Sequence, residues 1–146
     1  MPRVKLDLPS EFDFATELPL RITDINYGGH LGNDAVLSLL HEARVRFLKQ
    51  YGYTELNIEG AGTIMSDTVI IFKSEAFYGD VVVVEIALGE FERKSCDFLY
   101  RISNKETDKE IARAKTGIVF FDYQERKPLQ VPERFRAKFA RNESAI

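Results

Sequence analysis

The chain has 146 residues, 45% of them hydrophobic and 29% charged, which fits one domain able to bury about two thirds of its unfolded surface. Eleven Phe and six Tyr supply too much apolar mass for a disordered segment, and nine Gly with five Pro exclude a collagen-like or low-complexity chain. A formal net charge of −3 excludes a dedicated nucleic-acid binder, no apolar run approaches the ~20 residues of a membrane span, and a lone Cys96 excludes an internal disulfide. The start of the chain has no apolar leader, so the composition favours a reducing, cytoplasmic setting.

Residues 1–14 read as an N-terminal extension in which Val4, Leu6 and Leu8 alternate, and LPLRIT, ending at Thr23, reads as a strand. The stretch DINYGGHLGND follows as a loop, since Gly28, Gly29 and Gly32 allow backbone angles that other residues resist. Asn33 or Asp34 can cap the helix that comes next. From Asp34 to Tyr51, Val36, Leu39, Leu40, Ala43 and Phe47 recur at helical spacing, and Gly52 ends the run.

Beyond it the period falls to two. Thr63–Lys73, Val81–Phe91, Ser95–Ser103 and Glu110–Asp122 predict four long strands, which in succession suggest an antiparallel meander. Phe135 and Phe139, four apart, predict a short amphipathic helix in the basic tail 133–146. From Gln124 onward there are six basic and three acidic residues, a local charge of +3 that could meet an anionic ligand. One helix cannot cover both faces of a five- or six-stranded sheet, so the pattern predicts an α+β domain that pairs with a second copy of itself.

Chemical groups gather at the start of the helix: Asp24, Asn26, His30, Asn33 and Asp34. Unpaired N–H groups and the positive end of a helix dipole suit an oxygen that gains negative charge. The plainer alternative is a turn and an N-cap. His41 and Glu42 begin a zinc-type H-E-x-x-H motif, but position 45 is Val, so no metal site is expected. At 100° per residue His41 and Glu42 point about 125° and 135° from the helix core face. Arg44 lies about 65° from that face and requires a carboxylate partner. No nucleotide-binding glycine motif is complete, and Ser66 and Cys96 sit on strand patterns as structural residues, so no nucleotide cofactor and no serine or cysteine nucleophile is expected.

Asp24, Gly29, His30, Asn33 and the Glu42-Ala43-Arg44 triplet, with Phe77-Tyr78-Gly79-Asp80 and Ala114-Lys115-Thr116-Gly117 further on, resemble the landmarks of the 4-hydroxybenzoyl-CoA thioesterase-like branch of the hot-dog-fold acyl-CoA thioesterases. The resemblance runs from about Leu18 to Pro132. It implies an antiparallel sheet wrapped around one long central helix, a homodimer or homotetramer with sites at the interface, and an acyl-CoA or acyl-carrier-protein substrate. At the position of the family's usual catalytic Asp this chain has Asn26, which cannot act as a base. Plant acyl-carrier-protein thioesterases, similar in fold, pair an Asn with a His in this loop. The expectation is therefore thioester hydrolysis with Asn26 and His30 positioning substrate or water and Asp24 or Glu42 supplying the base. The amides of Gly29, Leu31, Gly32 and Asn33 would hold the oxyanion. A non-catalytic acyl-CoA-binding module and an enoyl hydratase or dehydratase are the competing readings.

Overall fold

A computed structural model describes residues 4–140. Its elements are β1 (Phe14–Pro19), a single 3-10 turn (Ile22–Asp24), α1 (Asn33–Gln50), β2 (Gly62–Phe72), β3 (Val81–Gly89), β4 (Ser95–Asn104), β5 (Glu110–Asp122), the two-residue β6 (Lys127–Pro128) and α2 (Glu133–Phe139). All strand pairs are antiparallel, in the order β1-β3-β4-β5-β2, with β6 on β5. The expected α+β architecture, a sheet curled around one long helix, is what the chain adopts.

The helix forms where the 3.6-residue pattern lies, within one residue of the predicted bounds. Val36, Leu40, Ala43 and Phe47 are wholly buried. Each of the larger three contributes about 1.5–3 kcal/mol by leaving water. They pack against the inward residues of the sheet, among them Tyr100, Phe98 and Phe120. On β3 as far as Ile86 and on β4 as far as Ile102 the alternation is regular: Val82, Val84 and Ile86, and Cys96, Phe98, Tyr100 and Ile102, all face inward and are buried. Phe135 and Phe139 bring α2 onto the same core, so this amphipathic turn is a plug rather than a free tail.

Two expectations change. The meander holds for β3, β4 and β5 but not for β2, which pairs with β5 at the far edge of the sheet. A period of two specifies a strand and its faces but not its neighbour. The other change is at the first strand, which spans Phe14–Pro19 instead of ending at Thr23. Pro19 has no N–H with which to continue the ladder. The chain turns there, with the Leu20 amide donating to the Asp80 carbonyl and Asp24 closing the 3-10 turn. Residues 4–13 form no strand of their own, although the Leu6 carbonyl accepts from Arg113. The ends of the extension (1–3) and of the basic tail (141–146) lie outside the described residues. No helix among those described is long and apolar enough to cross a membrane.

Candidate active site

The loop between β1 and α1 is shaped by its own polar atoms. Asn26 Oδ1 accepts from the amides of Gly28 (2.9 Å) and His30 (3.3 Å), while the Asn26 amide donates to the His30 carbonyl and the Gly29 amide to the Asn26 carbonyl. This is an Asx-type turn, and Gly29 at φ +87° supplies the left-handed residue it needs. Asp24 is buried, its carboxylate accepting from the Arg21 amide at 2.7 Å, and its carbonyl accepts from the Gly32 amide at 2.9 Å. Asp24 therefore closes the base of the loop.

Accounting for the N–H groups narrows the oxyanion expectation. The amides of Gly29, His30, Leu31 and Gly32 all donate within the fold, Leu31 to the Ala76 carbonyl at 2.8 Å. Gly32, not Asn33 or Asp34, is the N-cap, and no side chain caps the helix. Asn33 is the first helical residue. Among the described residues no acceptor engages the amides of Asn33 and Asp34, which point out of the helix start where the dipole is positive.

Beside Asn33 lies a cleft of about 310 Å³ whose lining includes Asn26, His30, Asn33, Ser74, Glu75 and Phe72. No motif singles out Glu75. Its Oε1 stands 3.6 Å from Nδ1 of His30, and both side chains are partly exposed. The segment that carries Glu75 is fixed to the sheet: the amides of Lys73 and Ser74 donate to the Ile111 carbonyl, and Ser74 Oγ donates to the Glu110 carbonyl. Nothing local in the sequence links Glu75 to a loop more than forty residues earlier. Only the alternation Glu75-Ala76-Phe77, which puts the two outer side chains on one side of a buried Ala76, hints at it.

The other candidate carboxylates stand elsewhere. Glu42 lies with Arg46 (2.9 Å) in a separate groove of about 410 Å³ between the outer face of α1 and β1. That groove is larger, but it shares no lining residue with the cleft of His30. Within one chain Glu42 and His30 are not brought together. His41 and Glu42 do leave the core as their angles predict, and Arg44 does find its carboxylate. Its Nε donates to Glu55 Oε2 at 2.9 Å and its Nη1 to Tyr100 Oη at 3.0 Å. His41 Nε2 meets Glu55 Oε1 at 2.9 Å, and Tyr100 Oη shares a 2.7 Å bond with Thr116 Oγ1. Partial burial opposes the charge on Glu55, but the bonds from Arg44 and His41 outweigh it and hold the carboxyl below its ordinary range. Cys96 is buried, and burial pushes its thiol far up, as befits a structural residue. In the basic tail, Arg136 donates to the Glu92 carbonyl, Lys138 to Tyr53 Oη and Arg134 pairs with Glu59. Those three charges serve the docking of α2.

A family model described as the thioesterase-like superfamily matches residues 20–139. The chain belongs to that superfamily. Membership places it among thioester hydrolases, and its sheet and helix have the hot-dog arrangement of solved thioesterase structures. A 1,4-dihydroxy-2-naphthoyl-CoA thioesterase from Synechocystis superposes with a TM-score of 0.76 at 22% identity, covering 85% of this chain and 93% of the other. The PA2801 protein from Pseudomonas aeruginosa gives 0.80 at 21% identity over 88% and 98%. A thioesterase-superfamily protein from Jannaschia gives 0.79 at 17% identity over 90% and 83%. No curated protein sequence matches this thioesterase at a significant level.

Proposed function

We propose that this thioesterase hydrolyses acyl-CoA to free acid and CoA, in the cleft between the start of α1 and the segment after β2. The observation that carries the reading is one histidine backed by a carboxylate, His30 and Glu75, beside two unengaged amides at a helix N-terminus. The thioester carbonyl oxygen would accept from the amides of Asn33 and Asp34. His30 Nε2 would take a proton from a water molecule while Glu75, facing Nδ1, stabilises the imidazolium. The water oxygen bonds to the carbonyl carbon, the tetrahedral oxyanion collapses, the C–S bond breaks, and the His30 proton goes to the leaving thiolate. Asn26 serves by shaping the loop, since its side-chain oxygen is already shared by two amides.

CoA is chosen over a carrier protein because the Synechocystis neighbour is named for a CoA thioester. The reading includes a homodimer, supported by β2, an edge strand with Ile64, Met65 and Phe72 exposed, whose free side is suited to the same strand of a second copy. The buried free thiol of Cys96 agrees with a reducing, cytoplasmic setting.

Thiol release from a panel of short, long and aromatic acyl-CoAs tests the reading. Hydrolysis of at least one member, reduced about 10²-fold or more in His30→Ala, is expected. Binding of a non-hydrolysable analogue without any turnover would replace it with the binding-module reading.

A further inference from the structure

His30 is held by little that is polar. Its ring is 42% exposed, and its only ion-pair contact among the described residues is the 3.6 Å approach to Glu75, itself 61% exposed. A pair so open to water does not fix a side-chain rotamer. The second directional contact is aromatic: the Phe77 ring meets the imidazole at 5.6 Å between centroids and 82° between planes, an edge-to-face arrangement.

Phe77 is itself rigidly presented. Its amide donates to Asp80 Oδ2 at 3.0 Å, the Asp80 amide donates back to the Phe77 carbonyl at 3.0 Å, and Gly79 at φ +91° completes the turn. The residue between Glu75 and Phe77, Ala76, is buried and accepts from the amide of Leu31, the residue after His30. One backbone hydrogen bond thus joins the two loops, and the side chains on either side of Ala76 meet the imidazole, Glu75 at Nδ1 and Phe77 across the ring. Yet Phe77 is 47% exposed, a large apolar side chain left in water for no gain in core packing.

We propose that Phe77 is a positioning residue for hydrolysis, holding the His30 ring in the rotamer that keeps Nδ1 toward Glu75 and presents Nε2 to the cleft. The inference rests on the reading of His30 as the base. It assigns Phe77 to turnover through His30, not to the fold and not to grip on the acyl group.

The test is thiol-release kinetics on Phe77→Ala, Phe77→Leu and Phe77→Tyr beside His30→Ala, with ring ¹⁵N spectra of His30. The only other histidine, His41, is removed as His41→Asn to leave one ring signal. Phe77→Ala is expected to lower kcat about 3- to 10-fold with KM within about twofold, because loss of a reacting group's orientation acts on turnover rather than on binding. Phe77→Tyr restores kcat, Phe77→Leu does not, and the His30 nitrogens pass from one tautomer's shifts to averaged values in Phe77→Ala. Unchanged kcat in Phe77→Ala, a rise in KM alone, or full recovery with Leu overturns the proposal. If Phe77→Ala does not fold, Phe77→Leu carries the same comparison. A wild-type protein without turnover, or His30→Ala at full activity, defeats the underlying reading instead. A dead His30→Ala beside a fully active Phe77→Ala defeats only the role of Phe77.

Discussion

Replacing Glu75 by Gln separates two roles that the carboxylate could play, because they differ in size. At 3.6 Å a unit charge pair is worth about 1 kcal/mol under bulk-water screening and about 5 kcal/mol at an effective dielectric near 20. The exposure of both partners puts the pair toward the watery limit, at about 1–2 kcal/mol. If Glu75 only steadies the imidazolium of His30, Glu75→Gln lowers kcat by about 5- to 30-fold. If Glu75 takes the proton from water itself, the loss is about 10²- to 10⁴-fold, the usual worth of a general base. With His30 as the base, the smaller loss is required. The assay is initial-rate thiol release on the best acyl-CoA, with thermal melting to show that each variant is folded. Glu75→Gln at wild-type rate, with Glu42→Gln inactive, would refute the reasoning and move the site to the groove beside β1.

Three further outcomes follow from the contacts around the site. Glu55→Ala leaves the nearly buried Arg44 guanidinium with Tyr100 alone and should cost about 3 kcal/mol, the low end for an orphaned buried charge. In a chain of this length that is a fall of about 6–12 °C in Tm, and a loss under about 1 kcal/mol in urea unfolding would show that water replaces the carboxylate. Asn26→Ala deprives the exposed amides of Gly28 and His30 of their acceptor and should cost about 0.5–1.5 kcal/mol with reduced turnover, whereas Asn26→Asp keeps an acceptor and melts like wild type. Glu55, Asp67 and Glu110 are all held below their ordinary range, Glu55 against its burial by bonds from Arg44 and His41, Asp67 by its bond from Lys115 and Glu110 by that from Arg113. Their contribution is complete above the unfolded values near pH 4 and is lost as pH falls through the lower folded values, so Tm should be level above about pH 5 and drop below about pH 4. A flat profile down to pH 3 would contradict that assignment.

What the sequence made legible and what it did not divide along physical lines. Helix α1 and strand β4 carry their period along most of their length, so their faces and buried sets were readable, whereas β3, apolar at nearly every position, and β5 were readable as strands. The choice of β5 as partner for β2 depends on which edge is free once the sheet has assembled, and no local pattern encodes it. The loop from Asp24 to Gly32 was recognisable by composition. Its hydrogen bonds were not, and they decide which amides remain: Asn26 consumes donors that the glycines would otherwise offer, leaving Asn33 and Asp34. Arg44 announced its need for a carboxylate by its angle on the helix, while Glu55 sits in an irregular loop without periodicity. Glu75 was hidden for the same reason, being placed by tertiary anchoring of the segment after β2 to β5.

The open edge of β2 runs without interruption into that segment, since Phe72 ends the strand three residues before Glu75. On the proposed dimer, a strand paired with that edge would adjoin the backbone on which the carboxylate stands, which β5 holds from the other side. Association and turnover would share one equilibrium. If the proposed dimer forms, diluting the enzyme would lower the rate per chain as well as the mass, and a substitution on the edge would register first as a concentration-dependent loss of activity.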